Sequence, residues 1–330
     1  MRDNTTRSYS LRDAIERRAL TRILTAIASA MPLTTGSPAT HDPSAHALRR
    51  LLDVLDLSSP REDMFEGRNM DSGRKRIYGG QVLGQAVMAA SQTVPASRPM
   101  HSLHAYFLVG GKPSAPVTYS IRRLRDGSSF TTRHVTALQS DTPLFDMIAS
   151  FHGEEPGYEH QAAMPDTPPP EDVQTMAELL ARSDVVMPEP MRVYYGREMP
   201  MDVRFVDIGR FLQEPGHPPR QRIWIKACAM LPEQPALHRA LLAYASDFSL
   251  VETALLPHSR LIFGGDMQLA SLDHALWFHR PFRMDDWLLY VLDSPNASAG
   301  RGFSRGEFFS RDGRIVASVT QELLMRPIGA

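Results

Sequence analysis

One pattern occurs twice in this chain, and few folds can accommodate it. In the first occurrence Gly79-Gly80 break the preceding chain. Val82, Ala86, Ala89 and Ala90 then recur at helical spacing until Pro95 stops the run. Stretches rich in β-branched and aromatic residues follow at 101–109, 116–126, 129–139 and 144–152, separated by Gly110-Gly111, Asp126-Gly127 and a turn at 141–143. In the second occurrence strands are expected at 192–196, 201–207 and 221–231, a long helix over 238–256, and further strands at 264–282, 285–295, 299–313 and 314–326. Phe107 matches Phe278, "SSFTTRHV" matches "GRGFSRGE", and Asp141 matches Asp312, at a nearly constant offset. The spacing predicts two copies of one α+β unit, each a long helix laid across the apolar face of an antiparallel sheet. Small residues on the first helix would let it lie close against a sheet. Two such units side by side can join edge strands and remove two exposed edges.

The flanking segments divide the chain. Residues 1–45 read as an N-terminal extension and linker, with a weak amphipathic helix at 20–33 and a Pro/Ser/Thr-rich link at 34–45; Met31 is an alternative start. Arg22 interrupts the apolar run at 20–33, so it reads neither as a signal sequence nor as a membrane span. The first unit is expected over 46–163, opening with a helix marked by Leu48, Leu51, Leu52 and Leu55, and the second over 191–330. Between them 164–190 is rich in proline and acid, a solvated connection with a short helix at 175–182.

The 330 residues are 42% hydrophobic and 22% charged, with a net charge of -1, so no global field attracts nucleic acid or an anionic membrane. The lone cysteine, Cys228, excludes an intrachain disulfide framework and reads as a buried small residue; a reducing cytoplasm fits. There is no Gly-x-Ser-x-Gly elbow, no P-loop and no Gly-x-Gly-x-x-Gly. His101 and His104 would fall on opposite faces of a strand, and His274 and His279 read as core or rim residues, so no metal site is expected.

Asp247 is the informative residue. It lies inside "HRALLAYASDFSLVETALL", flanking a stripe of Leu237, Leu241, Tyr244, Phe248 and Val251. A carboxylate in apolar surroundings needs a partner, a proton or a task. Two readings stand: a structural ion pair or hydrogen-bond acceptor, and a catalytic acid-base group. Gly79-Gly80 likewise allow two, a tight turn or the close approach of a substrate to free N–H groups at a helix start.

The stretches "GGQVLGQA", "HSLHAYFL", "LRDGSSFTTRHVTALQ", "ASFH", "LAYASDF", "ASLDHALWFHRPF", "AGRGFSRGEFF" and "VASVTQE" resemble the acyl-CoA thioesterase II family, the double-hotdog thioesterases, over about 47–326. The resemblance implies a double hotdog fold and hydrolysis of fatty acyl-CoA to fatty acid and CoA. It also implies that an Asp, a Ser or Thr and a Gln hold the attacking water; the matching positions are Asp247, Ser271 and Gln321. One carboxylate can position and partly deprotonate a water, and a hydroxyl and an amide can fix its orientation. Gly79, Gly80 and Gln81 are candidates for the oxyanion and substrate contacts.

Gln81 and Gln85 occupy the first helix where the second carries its acid, so one working site per chain is expected. Arg68, Arg74, Lys75, Arg76, Arg301 and Arg305 are candidates for the CoA phosphates. Met88, Phe248 and Leu250 line either an acyl tunnel or the core. No cofactor is expected beyond CoA itself, which is part of the substrate, and the partners expected are acyl-CoA and further copies of the chain. The alternatives are a hotdog acyl-CoA hydratase or dehydratase and a catalytically silent acyl-CoA-binding protein.

Overall fold

A computed structural model describes residues 43–70, 75–212, 216–262 and 265–328. The helix expected at 20–33 and most of the linker at 34–45 lie outside the described residues. Pro43, Ser44 and Ala45 already belong to the first described helix, α1 (Pro43–Leu55), which buries Leu48, Leu51 and Leu55 as its spacing requires.

The sequence alternation turns into strands nearly where expected: β3 (Met100–Phe107), β4 (Val117–Asp126), β5 (Phe130–Gln139) and β6 (Thr142–His152) in the first half. The second half supplies β7 (Met201–Phe205), β8 (Arg220–Ala227), β9 (Met267–Ser271), β10 (Asp273–Phe278), β11 (Leu288–Ser298), β12 (Arg301–Ser310) and β13 (Ile315–Pro327). With the small hairpin β1 (Ser58–Arg61) and β2 (Met64–Gly67) they form one antiparallel sheet in the order β1-β2-β4-β5-β6-β3-β10-β13-β12-β11-β8-β7, and β9 pairs with β13 off that path. The order reads alike outward from its middle: β3-β6-β5-β4-β2 one way, β10-β13-β12-β11-β8 the other. The halves meet where β3 pairs with β10, with Ala105 opposite His274 and Leu103 opposite Leu276.

Two long helices fill the space inside this sheet. The first, α2 (Gly79–Ser91), is buried from Gly80 to Ala90, and packs among Tyr119, Val135, Phe145 and Met147. Its small residues also serve a helix–helix contact that the sequence reading did not foresee. A Cβ on Gly80 would strike the Tyr244 carbonyl, and one on Gly84 would lie 2.9 Å from the Ala240 carbonyl. Only glycine lets the two helix backbones come so near.

Four expectations need correction. The helix expected over 238–256 is two: α5 (Pro235–Ser246) and α6 (Leu250–Leu255), with Asp247 as the C-cap of the first. Asp and Ser compete with helical hydrogen bonds, and Ser249 adopts a left-handed φ of 66°. That turn is pinned at the Ser249 carbonyl by Gln221 Nε2 at 3.1 Å and Thr253 Oγ1 at 2.8 Å. The strand expected at 192–196 belongs to the helix α4 (Glu189–Tyr195). Pro188 and Pro190 start it, and burying Met191 and Tyr195, four apart, outweighs the β-propensity of Val-Tyr-Tyr.

The segment 164–190 does contain the expected short helix, α3 (Met176–Ala181), closed by a Thr175–Glu178 capping box. It is only partly solvated, however. Pro168 accepts from Trp224 Nε1 at 2.9 Å, Pro170 accepts from Arg204 Nη1 at 2.7 Å, and Val173 packs with Trp224, Trp287, Leu289 and Phe309 over the outer face of the second-half sheet. Cys228 is half-buried rather than buried, with Sγ 3.4 Å from the Met199 carbonyl. Among the described residues no helix is long and apolar enough to cross a membrane.

Candidate active site

The break between α5 and α6 places Asp247 between the two halves. Its Oδ2 accepts from the Gly80 N–H, at the start of α2, at 2.9 Å. The positive end of a 13-residue helix thus faces the carboxylate. Its Oδ1 accepts from Ser271 Oγ at 3.3 Å.

Ser271 ends β9, whose register sets it opposite Leu323 of β13. The chain then shifts at Leu272, whose N–H reaches the Glu322 carbonyl at 3.0 Å and whose carbonyl accepts from Phe107 N–H at 2.9 Å. Gln321 is on β13, which buries alternate residues from Ala317 through Val319 to Leu323, so period-two geometry turns Gln321 inward as well. Its Nε2 donates to Ser271 Oγ at 3.0 Å. The three expected residues are therefore brought together: Asp247 and Ser271 in a cavity wall, Gln321 fully buried behind Ser271.

Behind Gln321 stands His274, on β10 and completely buried. Its Nδ1 lies 2.7 Å from Gln321 Oε1 and its Nε2 lies 2.8 Å from Ser246 Oγ, on the last turn of α5. Burial pushes its imidazole down to about 4, against the opposing effect of the Gln321 hydrogen bond, so the ring is neutral near pH 7. Tyr290 closes the group by donating to the Ser246 carbonyl at 2.8 Å, and burial raises its phenol well above 10. Sequence reasoning passed over His274 as core. The available signal was its place in β10, where alternation puts it on the inward row with Leu276 and Phe278.

The cavity holds about 590 Å³. Val82, Phe107, Phe145, Phe248, Val251 and Leu269 give it an apolar lining. Of the tail-lining candidates only Phe248 reaches it; Met88 and Leu250 are packed in the core. A second carboxylate, Glu252, is in the wall, where Tyr195 OH donates to it at 2.7 Å and Ser249 Oγ at 3.0 Å. Lys75 and Arg76 are exposed at its rim. Arg76 lies across Gly110, where a Cβ would meet its Cδ at 2.6 Å, and the Gly111 carbonyl accepts from Ile77 N–H at 3.0 Å. Arg301 and Arg305 are paired instead with Glu322 and Asp293, each at 2.8 Å, and Arg74 is outside the described residues.

Of the substrate-contact candidates, Gly79 lines the cavity, with its Cα facing Asp247 and Phe107. The Gly80 N–H is engaged by Asp247. Gln81 turns away from the cavity: its Nε2 donates to Asn69 Oδ1 at 2.8 Å and its Oε1 accepts from Met70 N–H at 3.0 Å. Its amide serves the packing of 69–70, which corrects its expected role. Gln85 is likewise a structural hub, donating to the carbonyls of Val54 at 2.6 Å and Arg68 at 2.8 Å and accepting from Tyr119 OH at 2.7 Å. Among the described residues no group of three or more His, Cys, Asp or Glu is placed to hold a metal ion.

Residues 68–152 match the model of the acyl-CoA thioesterase N-terminal domain, and 199–324 match that of acyl-CoA thioesterase. The chain is 37% identical to acyl-CoA thioesterase 2 of Haemophilus influenzae over 279 residues, covering 84% of this chain and 98% of that protein. It is 37% identical to human acyl-coenzyme A thioesterase 8 over 284 residues, covering 83% of this chain and 88% of the relative. A crystal structure of an acyl-CoA thioesterase II from Mycobacterium marinum superposes with a TM-score of 0.70 at 36% identity, covering 85% of this chain and 98% of that one. A protein of unknown function with a hot dog fold from Alicyclobacillus acidocaldarius superposes equally well, at 0.70 and 20% identity over 84% of this chain and 98% of that one, which speaks to the fold alone. With both of its halves matched and relatives this close covered almost end to end, the chain belongs to the acyl-CoA thioesterase family.

Proposed function

We propose that this protein hydrolyses fatty acyl-CoA to a free fatty acid and CoA, using a water positioned by Asp247, by Ser271 and, through Ser271, by Gln321. The observation that carries the reading is the meeting of Asp247 and Ser271 in the wall of an apolar cavity, with Gln321 hydrogen-bonded to Ser271 from behind. Asp247 accepts a proton from the water as its oxygen attacks the thioester carbonyl. The carbonyl oxygen becomes an oxyanion beside the first turn of α2, where Gly79 lines the cavity and its N–H is our candidate donor. Collapse breaks the carbon–sulfur bond and expels the CoA thiolate, to which Asp247 returns the proton. A thiolate leaves readily because thiols are far more acidic than alcohols. Ser271 orients the water and is not itself acylated; an acyl-serine adduct caught in a single turnover would contradict this.

The acyl chain occupies the apolar lining around Phe248, Val251 and Leu269, and Lys75 and Arg76 meet the CoA phosphates. The mirrored strand order supports reading the fold as a double hotdog, two tandem copies of one unit with 164–190 connecting them. The Gln85 hub supports one working site per chain, the first-half equivalent having been filled by structure. Exposed Tyr106 and Ile148 on the outer sheet face support self-association, and the single cysteine fits a cytoplasmic setting. No cofactor enters the scheme.

The test is Asp247→Asn in a thiol-release assay on a series of acyl-CoAs. Turnover should fall by about 10²–10⁴-fold, the scale of a lost general base. Wild-type turnover in that variant would reject the water-based reading. Double-bond hydration in place of thiol release would point to a hydratase, and binding without turnover by the wild-type protein to a silent acyl-CoA binder.

A further inference from the structure

The groups that reach Asp247 form one continuous chain. From Ser246 Oγ it passes to His274, then to Gln321, then to Ser271 and finally to the carboxylate. Every hydroxyl and N–H in such a chain has one proton to place, so the choice made at one end fixes the choices at the other.

Two arrangements are available. In one, neutral His274 carries its proton on Nδ1 and donates to Gln321 Oε1, and Ser246 Oγ turns its proton to His274 Nε2, at 2.8 Å, rather than to the Ala243 carbonyl. The Gln321 amide nitrogen then donates to Ser271 Oγ, and the single Ser271 proton is left for Asp247 Oδ1 or for a water lying between them. In the other, the amide is reversed. Ser246 Oγ then gives its proton to the Ala243 carbonyl, at 3.0 Å, and accepts from His274 Nε2–H; Gln321 donates to His274 Nδ1, its oxygen takes the Ser271 proton, and the Ser271 oxygen presents a lone pair to the carboxylate. Only the first offers Asp247 a donor from Ser271.

We infer that His274 is a positioning residue: its Nδ1–H holds the Gln321 amide with nitrogen toward Ser271, and so aims the Ser271 proton at the reacting water. The inference rests on the water-based reading above and goes beyond it, because His274 touches neither substrate nor water. Its ring is held on both sides, by Ser246 Oγ on α5 and by Gln321 on β13, and is buried where no solvent can substitute for either contact. The low imidazole pKa agrees with a ring that keeps one proton while the site works.

Two variants of similar size separate positioning from packing. His274→Asn keeps an N–H donor near the place of Nδ1, and His274→Leu fills the space without one. In the full chain the Leu variant should lose about 10–100-fold in kcat with KM nearly unchanged, the usual scale for removing an orienting partner, and the Asn variant should recover most of that loss. Equal loss in both variants, or a folded Leu variant with wild-type kcat, would overturn the inference. Asp247→Asn, run alongside, tells the two failures apart. If it is inactive while His274→Leu works normally, only the His274 role fails; if it works normally, the water-based reading fails and takes the inference with it.

A second readout does not depend on how the Leu variant folds. Nitrogen-15 spectra of histidine-labelled wild-type protein, assigned by the signals missing in His274→Asn, should show protonated Nδ1 and bare Nε2 for His274. The opposite tautomer would overturn the assignment.

Discussion

The backbone N–H of Gly80 and the carboxylate of Asp247 meet at 2.9 Å although they stand 167 residues apart, so a glycine of the first half holds the acid of the second. The same glycine gives up its Cβ to the Tyr244 carbonyl of α5. Gly80→Ala should therefore push α2 away from α5 and loosen the carboxylate together. Overpacking of this kind costs about 1–3 kcal/mol. Calorimetry should show a lower Tm, and the thiol-release assay a lower kcat. A variant with wild-type stability and turnover would show that the close approach is dispensable.

Lys75 and Arg76 flank the cavity at its solvent side. Replacing both with alanine should raise KM for acyl-CoA by about tenfold or more, since a hydrogen bond to a charged group contributes about 1.5–3 kcal/mol. The same variant should handle acyl-pantetheine, which lacks the adenosine and diphosphate groups, as well as wild type does. Added salt should narrow the wild-type advantage on acyl-CoA. Equal losses on both substrates would place the CoA phosphates elsewhere.

Acid should destabilise the protein through His274. In the folded state its pKa is held down to about 4, below the usual 6.5, so between those values the unfolded chain binds the extra proton and the folded one does not. Stability from this group is complete above about pH 6.5 and is lost as pH falls toward 4, on the order of 3 kcal/mol in all. Tm measured from pH 7 to pH 4 should fall more steeply in wild type than in His274→Asn. Parallel curves would mean that the imidazole is not kept neutral.

Gln85 should matter for folding and not for turnover. Gln85→Leu leaves Tyr119 OH and the carbonyls of Val54 and Arg68 without their partner. Each buried group left unsatisfied costs about 1–3 kcal/mol, so denaturant titration should show a loss of several kcal/mol. Its kcat in buffer without denaturant should stay near wild type. A large drop in kcat in the folded variant would reopen the first half as a working site.

The strands were legible because alternation is a local signal: β5 alternates buried and half-buried residues from Thr131 to Leu138, and β13 from Ala317 to Met325. Asp247 was legible for a related reason, as a charge in apolar company. The helix break beside it was not: small and apolar residues on both sides imitate one continuous helix, and the left-handed Ser249 is pinned at its carbonyl by Gln221, which only the fold brings near. The hairpin β1-β2 carries almost no alternation, since Ser58–Arg61 is exposed throughout. Ser271 and Gln321 entered through a family resemblance rather than spacing, because their meeting depends on the register of β9 and β10 against a single long β13. Gln81 misled for the opposite reason: one turn of helix separates a side chain facing the cavity from one facing the loop behind it.

The pairing of β3 with β10 has a consequence for how the molecule comes apart. Because the sheet runs through that pair without interruption, neither half can be peeled off without baring a row of backbone donors and acceptors along its own margin. Heat or urea should meet a single cooperative transition, and a polypeptide cut between the halves should stay assembled until the whole ensemble melts.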